Sequence, residues 1–169
     1  RILMEAGKEF DITPYGTETM HVLRAEKGFI IVGQDTDGSV TPIDVGLGWL
    51  LSKEKDFIGK RSLLRDDSSR ENRKQLIGLH SVDGISVIPE GAQLINERAD
   101  SGPTAMCGHV SSSYYSPILD HPIALALMES GRNRYDEKLL AVSSDGDEVE
   151  VSVTKPIFYD PKGARQHVK

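Results

Sequence analysis

The sequence predicts an α+β protein in which helices and loops are followed by a small antiparallel β-barrel or sandwich. Helix patterns are confined to the first 65 residues. Residues 66–73 (DDSSRENR) are all polar or charged, which is typical of an exposed linker. Beyond them, short β-rich segments alternate with turn residues at regular spacing, as in antiparallel β domains. We therefore place a domain boundary at 66–73, between residues 1–65 and 74–169.

The N-terminal elements follow from capping and turn signals. Residues 1–7 are typical of the end of a helix closed by Gly7. Because the chain opens at Arg1 without an initiator methionine, we expect a piece of a longer polypeptide. Thr17 is the predicted N-cap of a second helix that ends at Gly28. The apolar side chains of that helix are Met20, Val22 and Leu23.

The stretch between the second helix and the linker is predicted to contain one strand and one short helix. Residues 29–32 (FIIV) have the content of a buried strand, and residues 35–38 (DTDG) that of a turn. Residues 46–48 (GLG) predict a tight backbone bend rather than a phosphate cradle, because the third glycine is missing. Trp49 is expected in the core. A short helix is predicted from Lys60 to Arg65.

Six β segments are predicted after the linker. Turn pairs such as Asp83-Gly84 and Asp145-Gly146 separate them. In residues 149–154 valines alternate with polar residues, which predicts a strand buried on one side. The segments are 75–80, 92–96, 104–113, 123–128, 139–143 and 149–154.

Composition and charge exclude several classes of function. The chain has 169 residues and a formal net charge of −6, which argues against broad nucleic-acid or anionic-membrane surfaces. No apolar run is long enough for a membrane helix, and a cytoplasmic protein is the default expectation. Cys107 is the only cysteine, so no internal disulfide is possible.

No catalytic or metal-binding constellation emerges from the spacing of reactive residues. The five histidines (His21, His80, His109, His121 and His167) lack metal-ligand spacing, and surface or satisfied core roles are expected. The segment 35–38 resembles a calcium loop only in part, because further acidic ligands are missing. Residues 111–113 (SSS) lack the flanking glycines of a nucleophile elbow.

Arg24 is the candidate binding residue. Its guanidinium is a forked, permanently charged donor that suits a carboxylate or carbonyl on a ligand. An arginine on a solvated helix face is the simpler alternative from helix statistics.

Several segments together resemble the tetrahydrofolate-dependent aminomethyltransferase family, which includes the glycine-cleavage T-protein. The resemblance covers nearly the whole chain and implies the C-terminal portion of a folate-binding domain followed by the family's β-barrel. The segments are 23–28 (LRAEKG), 41–49 (TPIDVGLGW), 56–60 (DFIGK), 108–117 (GHVSSSYYSP), 122–127 (PIALAL) and 153–158 (VTKPIF).

Within that family, residues 9–38 are most similar to the alpha subunits of heterotetrameric sarcosine oxidases. Residues 12–18 (ITPYGTE) and 33–38 (GQDTDG) carry this likeness. The resemblance implies that sarcosine is oxidised at a flavin elsewhere in the assembly. Tetrahydrofolate then captures the one-carbon unit as methylenetetrahydrofolate, leaving glycine. It further implies other oxidase subunits as partners, and FAD, FMN and NAD bound outside this chain.

The resemblance implies a folate contact for Arg24 and no catalytic residue in this chain. The family's acidic catalytic residue and its pterin-holding glutamate lie upstream of Arg1, so the fragment is expected to be inactive by itself. Two alternatives stay open. One is a glycine-cleavage T-protein or related folate-dependent demethylase, and the other is a non-catalytic folate-binding or assembly module.

Overall fold

A closed six-stranded antiparallel barrel forms the C-terminal part of the computed structural model, which describes residues 1–166. The strand order around the barrel is β1-β4-β3-β2-β5-β6, and β6 pairs with β1 to close it. All six predicted β segments are confirmed, and the barrel alternative is the one observed. The strands are β1 (Lys74–Ser81), β2 (Gln93–Ile95), β3 (Met106–Ser116), β4 (His121–Glu129), β5 (Lys138–Val142) and β6 (Glu148–Thr154).

Short helices and loops precede the barrel. Two α-helices, α1 (Ile2–Ala6) and α2 (Thr17–Glu26), agree with the predicted positions. Gly16 is the N-cap of α2, so the prediction of Thr17 as cap is wrong by one residue. The remaining helices are the 3-10 turns Lys8–Phe10, Gly48–Leu50, Lys60–Leu64, Gly131–Asn133 and Ala164–Gln166, and α3 (Asp66–Ser69), which lies in the predicted linker.

The barrel has two apolar layers because some of its strands are buried on both faces. Ile77 and Leu79 of β1 point into the interior, whereas Leu76 lies in a second cluster outside the barrel wall. Leu125 and Leu127 of β4 share that outer cluster. The side chains that cover it from the N-terminal segment and the C-terminus are Ile30, Val40, Val45, Leu47 and Phe158. The outer layer therefore attaches the N-terminal segment to the barrel.

A C-terminal strap, residues 155–160, returns from β6 to the end of α2. Gly28 follows α2 with a φ of +68°, and a Cβ at this position would collide with the carbonyl oxygen of Pro156. Glycine is required there both for the left-handed backbone and for the close approach. These two constraints explain why the helix pattern in the sequence ends at a glycine.

The prediction of a strand at residues 29–32 is wrong. Within residues 1–166 this segment makes only one isolated bridge, between Val32 and Thr36, and Val32 is 84% exposed. The backbone turns instead, because the amides of Gln34 and Asp35 both donate to the carbonyl of Ile31. A β-rich composition cannot form a strand without a neighbouring strand to pair with.

The prediction that Trp49 lies in the core is also wrong. Trp49 is 78% exposed. It lies in a 3-10 turn that follows the bend at Gly46, where φ is +79°. We therefore expect Trp49→Ala to change the free energy of unfolding by less than about 0.5 kcal/mol, as surface substitutions do. Urea unfolding of both proteins measures this. A loss of about 3–5 kcal/mol, typical of a buried aromatic residue, would contradict it.

Candidate functional site

Arg24, in the last turn of α2, points into the contact between this helix and the barrel. Its side chain is only 10% exposed. Nη1 donates to Oδ2 of Asp35 at 2.5 Å and to the carbonyl of Phe29 at 3.2 Å. Nη2 donates to the hydroxyls of Ser112 at 2.6 Å and Tyr114 at 3.2 Å. Both ends of the guanidinium fork are thus used inside the protein, and a solvated helix face is excluded.

Asp35 is the anionic partner of Arg24 and is completely buried. Oδ2 accepts from Arg24 and from the backbone amide of Ile31 at 2.8 Å. Oδ1 accepts from the hydroxyls of Ser111 at 2.5 Å and Ser112 at 2.6 Å. Four donors therefore replace the water that this carboxylate loses on burial, which is the condition for placing a charge in a protein interior.

A β-bulge in β3 explains why two consecutive serines reach the same carboxylate. Adjacent side chains of a regular strand point to opposite faces. The register of β3 against β4 shifts between Val110 and Ser112, so Ser111 is the extra residue. Both serine side chains are buried on Asp35 as a result. In the fold, the hydroxyls of both serines are donors to a carboxylate.

One N–H of the Arg24 guanidinium is left without a protein partner. Nε is buried and makes no hydrogen bond to the described residues. The ring of Tyr114 lies 5.5 Å from Cζ, at a distance suitable for a cation–π contact. The remaining N–H of Arg24 is therefore enclosed by the protein, and the guanidinium does not present the two-pronged donor that the sequence suggested.

The end of α2 is fixed by the C-terminal strap as well as by the barrel. The backbone amide of Phe158 donates to the carbonyl of Glu26 at 2.9 Å. The buried carboxylate of Glu26 accepts from the hydroxyl of Ser116 on β3 at 2.5 Å. Lys27 donates to the carbonyl of Asp160 at 2.6 Å. Arg24 is consequently carried on a helix end with little freedom to move.

A second buried aspartate–arginine pair joins the loop before Trp49 to the segment that leads into β1. Arg73 donates from Nε to Asp44 Oδ1 at 3.0 Å and from Nη2 to Oδ2 at 2.6 Å. Burial raises the pKa of Asp44, but the hydrogen bonds from Arg73 and Thr41 outweigh it and hold that pKa below its ordinary value. The pair shares no hydrogen-bond partner with Arg24 in the described contacts.

Two of the histidines meet at one end of the barrel. The ring centroids of His80 and His121 are 4.6 Å apart, and the ring of Phe158 lies 5.1 Å from His80. Burial, with a smaller contribution from His121, lowers the pKa of His80. His167 lies outside the described residues. In the described part of the chain, no three His, Cys, Asp or Glu side chains form a group that could hold a metal ion.

The lowered pKa of His80 makes the stability of the barrel depend on pH. The unfolded chain takes up a proton near the ordinary histidine pKa of about 6.5, whereas the folded protein takes it up only at lower pH. The stabilising contribution is therefore present above about pH 6.5 and is lost as the pH falls through the folded pKa. We expect His80→Gln to lose less thermal stability than the wild type between pH 7.5 and 5.5.

Thermal unfolding at several pH values measures this slope. His109→Gln is a useful comparison, because burial and the nearby Lys74 also lower the pKa of His109. We expect His109→Gln also to reduce the loss of thermal stability between pH 7.5 and 5.5. Equal slopes in the wild type and in both variants would contradict the assignment.

An open cavity in the N-terminal segment does not include Arg24 among its lining residues. It has a volume of about 490 Å³ and lies between the loop at 38–42 and the segment 57–68. Phe57, Leu51 and Leu63 give it an apolar side, and Arg65 and Asp67 a charged one. The cavity and the Arg24 network are thus separate features of the fold.

Sequence inspection singled out Arg24 but missed its partners. Asp35 looked like one residue of an ordinary turn, and Ser111 and Ser112 of β3 lie 87 and 88 residues further along the chain than Arg24. Only their side-chain burial in the folded protein distinguishes them. The sequence shows that these residues are polar or charged, but it does not show that their side chains are buried together.

Comparison with known proteins agrees with this architecture. The GCVT N-terminal domain matches residues 1–55, and the glycine cleavage T-protein C-terminal barrel domain matches residues 74–160. The solved structure of the glycine cleavage system aminomethyltransferase T from Bartonella henselae superposes with a TM-score of 0.68 and 23% identity. That match covers 83% of this chain and 38% of the solved one. The chain belongs to the aminomethyltransferase (glycine cleavage T-protein) family.

Within the family, sarcosine oxidase alpha subunits are more similar in sequence to this chain than an aminomethyltransferase is. The sarcosine oxidase subunit alpha of Corynebacterium sp. (strain U-96) is 53% identical over 163 residues, and that of Rhizobium meliloti is 38% identical over 168 residues. The aminomethyltransferase of Pseudothermotoga lettingae is 31% identical over 157 residues. These matches cover 95%, 98% and 93% of this chain. The chain spans 17% of the length of both oxidase subunits and 41% of the aminomethyltransferase.

Among residues 1–166, no helix is long and apolar enough to cross a membrane.

Proposed function

We propose that this chain contributes to the tetrahydrofolate site of a sarcosine oxidase, as the C-terminal part of an alpha subunit. The observation that carries the proposal is the 53% identity with a sarcosine oxidase alpha subunit over 95% of the chain. Identity with the aminomethyltransferase of Pseudothermotoga lettingae is 31% over a similar range. In the complete assembly, in the cytoplasm, sarcosine is oxidised at a flavin held by other parts of the enzyme. FAD, FMN and NAD are bound outside this chain.

The chemistry of Arg24 suits a folate ligand. Folates carry carboxylates and ring carbonyls, which accept hydrogen bonds and favour a cation nearby. The guanidinium of Arg24 is permanently charged, and its side chain is 10% exposed. Bound tetrahydrofolate supplies the nitrogen nucleophile that takes up the one-carbon unit. We propose that Arg24 binds and orients it, and that no residue of this chain acts as acid, base or nucleophile.

The division of labour in the chain follows from this proposal. Residues 1–65 complete the folate-binding domain, residues 66–73 link it to the barrel, and residues 74–169 carry the hydroxyls that accept hydrogen bonds from Arg24 on the barrel side. The chain is inactive without the rest of the enzyme in this account.

The test uses the complete oxidase with sarcosine and tetrahydrofolate. Oxidised sarcosine gives an imine, which hydrolyses to formaldehyde and glycine when folate does not capture its one-carbon unit. The measurement is the fraction of consumed sarcosine recovered as methylenetetrahydrofolate. We expect Arg24→Ala to lower this fraction at limiting tetrahydrofolate, and Arg98→Ala to leave it unchanged, because Arg98 is an exposed residue of the barrel paired with Glu148. A wild-type fraction of zero would overturn the proposal.

An aminomethyltransferase is the alternative within the family, since relatives of that name are 31–33% identical to this chain. It predicts folate-dependent transfer without any flavin or any consumption of sarcosine. Folate binding without turnover of either kind would favour the third interpretation, a folate-binding assembly module.

A further inference from the structure

The loop that follows β1 presents three large apolar side chains to solvent. Val82, Ile85 and Val87 are 41%, 81% and 61% exposed, although they lie within six residues of one another. Apolar side chains scattered singly over a surface are ordinary, whereas a group of them on one loop is typical of a protein–protein contact. The loop at residues 82–87 is therefore a candidate interaction surface.

The 82–87 loop has a fixed shape. The carboxylate of Asp83 accepts hydrogen bonds from the backbone amides of Ile85 and Ser86, each at 2.9 Å, and from the Ser86 hydroxyl. The amide of Val82 donates to the carbonyl of Glu150 on β6 at 2.9 Å. Because the loop is already ordered, a partner that packs on its apolar side chains gains the contact with little loss of loop entropy.

An acidic cleft of about 270 Å³ lies between this loop and the start of β6. Its carboxylates belong to Asp83, Glu148 and Glu150, and its apolar wall to Val82 and Val149. The three carboxylates do not form a group that could hold a metal ion. The cleft instead suits an arginine or lysine side chain, whose hydrocarbon stem can lie on the valines while its charge reaches the carboxylates.

The charge around the acidic cleft is only partly neutralised within the chain. Its two glutamates pair with Arg98 and Lys138 in exposed contacts, and such pairs contribute at most about 1 kcal/mol. In the described part of the chain Asp83 has no ion pair, and the turn that leads into β6 adds the exposed Asp145 and Asp147. A positively charged partner surface is therefore the complement of this end of the barrel.

We propose that the 82–87 loop and the acidic cleft form a docking surface for another subunit of the complete enzyme. The inference rests on the proposed function, which assigns the chain to one subunit of a larger enzyme. The partner surface has an apolar centre that packs on Ile85 and Val87, and an arginine or lysine that enters the cleft. A second copy of this chain does not fit, since symmetric pairing would place one acidic cleft against the other.

Substitutions at this surface test the proposal in the complete oxidase. We expect Ile85→Arg and Glu150→Lys each to raise the dissociation constant between the alpha subunit and the other subunits about tenfold or more. The first removes an apolar contact, and the second repels the cation of the partner. Mass photometry at decreasing enzyme concentration measures the fraction of intact assembly, and thermal unfolding establishes that each variant is folded.

Glu71→Lys is the matched control. Glu71 is an exposed acid that precedes β1, whereas the 82–87 loop follows that strand. Since a strand of 8 residues spans about 26 Å, this variant makes the same change in net charge far from the cleft. It should leave the assembly as stable as the wild type. Equal weakening by Glu71→Lys and Glu150→Lys would overturn the inference.

A photo-cross-linker in place of Val87 identifies what covers the loop. With p-benzoylphenylalanine at this position of the complete oxidase, mass spectrometry should find a cross-linked surface peptide of another subunit in which apolar residues adjoin arginine or lysine. A cross-link only within the alpha subunit, or none, would overturn the inference, as would wild-type assembly in both Ile85→Arg and Glu150→Lys. Folate capture of the one-carbon unit would then still support the proposed function. An alpha subunit purified without any other subunit would contradict the proposed function, and this inference with it.

Discussion

Replacing Arg24 by methionine is expected to lower the free energy of unfolding by about 3–5 kcal/mol. The variant leaves the carboxylate of Asp35 in a site with no exposure to water and without its cationic partner. Two serine hydroxyls and one backbone amide still donate to it, but they carry no compensating charge. Urea unfolding followed by circular dichroism measures the loss.

Two further variants make this result specific to the buried charge. Arg98→Met removes an arginine from an exposed pair with Glu148 and should cost less than about 1 kcal/mol. Arg24→Met combined with Asp35→Asn removes both charges and should recover part of the stability, because no ion is left unpaired. A double variant that is less stable than Arg24→Met would contradict the explanation.

Truncation of Ile77 is expected to give the second large effect. Ile77 of β1 is fully buried inside the barrel among side chains of the other strands. Ile77→Ala removes three carbon atoms from that interior and should cost about 2–5 kcal/mol, whereas Ile77→Val should cost about 0.5–1.5 kcal/mol. The same unfolding experiment measures both.

The ratio between these two losses tests the packing of the barrel. A closed barrel with a filled interior collapses little around a cavity, so the loss should grow with the volume removed. Equal and small losses in both variants would mean that Ile77 is not enclosed.

The barrel was predictable because its strands carry their own signals. Turn glycines such as Gly84 and Gly146 have positive φ values of 70° and 90°, as the sequence pattern required. Alternation in residues 149–154 fixed which side of β6 is buried, with Val151 and Val153 both 0% exposed. These properties depend on neighbours along the chain, which the sequence displays directly.

The N-terminal segment was harder to predict because its contacts are distant. The composition of residues 29–32 suggests a strand, but their backbone turns to present Ile31 to Asp35. Trp49 looked like a core residue by type alone, yet it is mostly exposed. Both errors come from treating an apolar composition as sufficient for burial, when burial needs a surface to pack against.

Of the residues in the candidate site, only Arg24 could be predicted from the sequence. Arg24 could be chosen for its chemistry and its resemblance to a family motif, but Asp35 and Ser112 meet it through the bulge in β3. No pattern in the sequence marks a bulge at Ser111 within a run of three serines. The geometry of the support had to come from the fold.

Titration of a stable reduced folate into the complete oxidase, wild type and Arg24→Ala, tests the central claim most directly. We expect saturable binding to the wild type and a dissociation constant about 5- to 150-fold higher in Arg24→Ala, as expected for one charge-assisted hydrogen bond. Circular dichroism at the titration temperature establishes that the variant is folded. Absence of binding to the wild type would contradict the folate function.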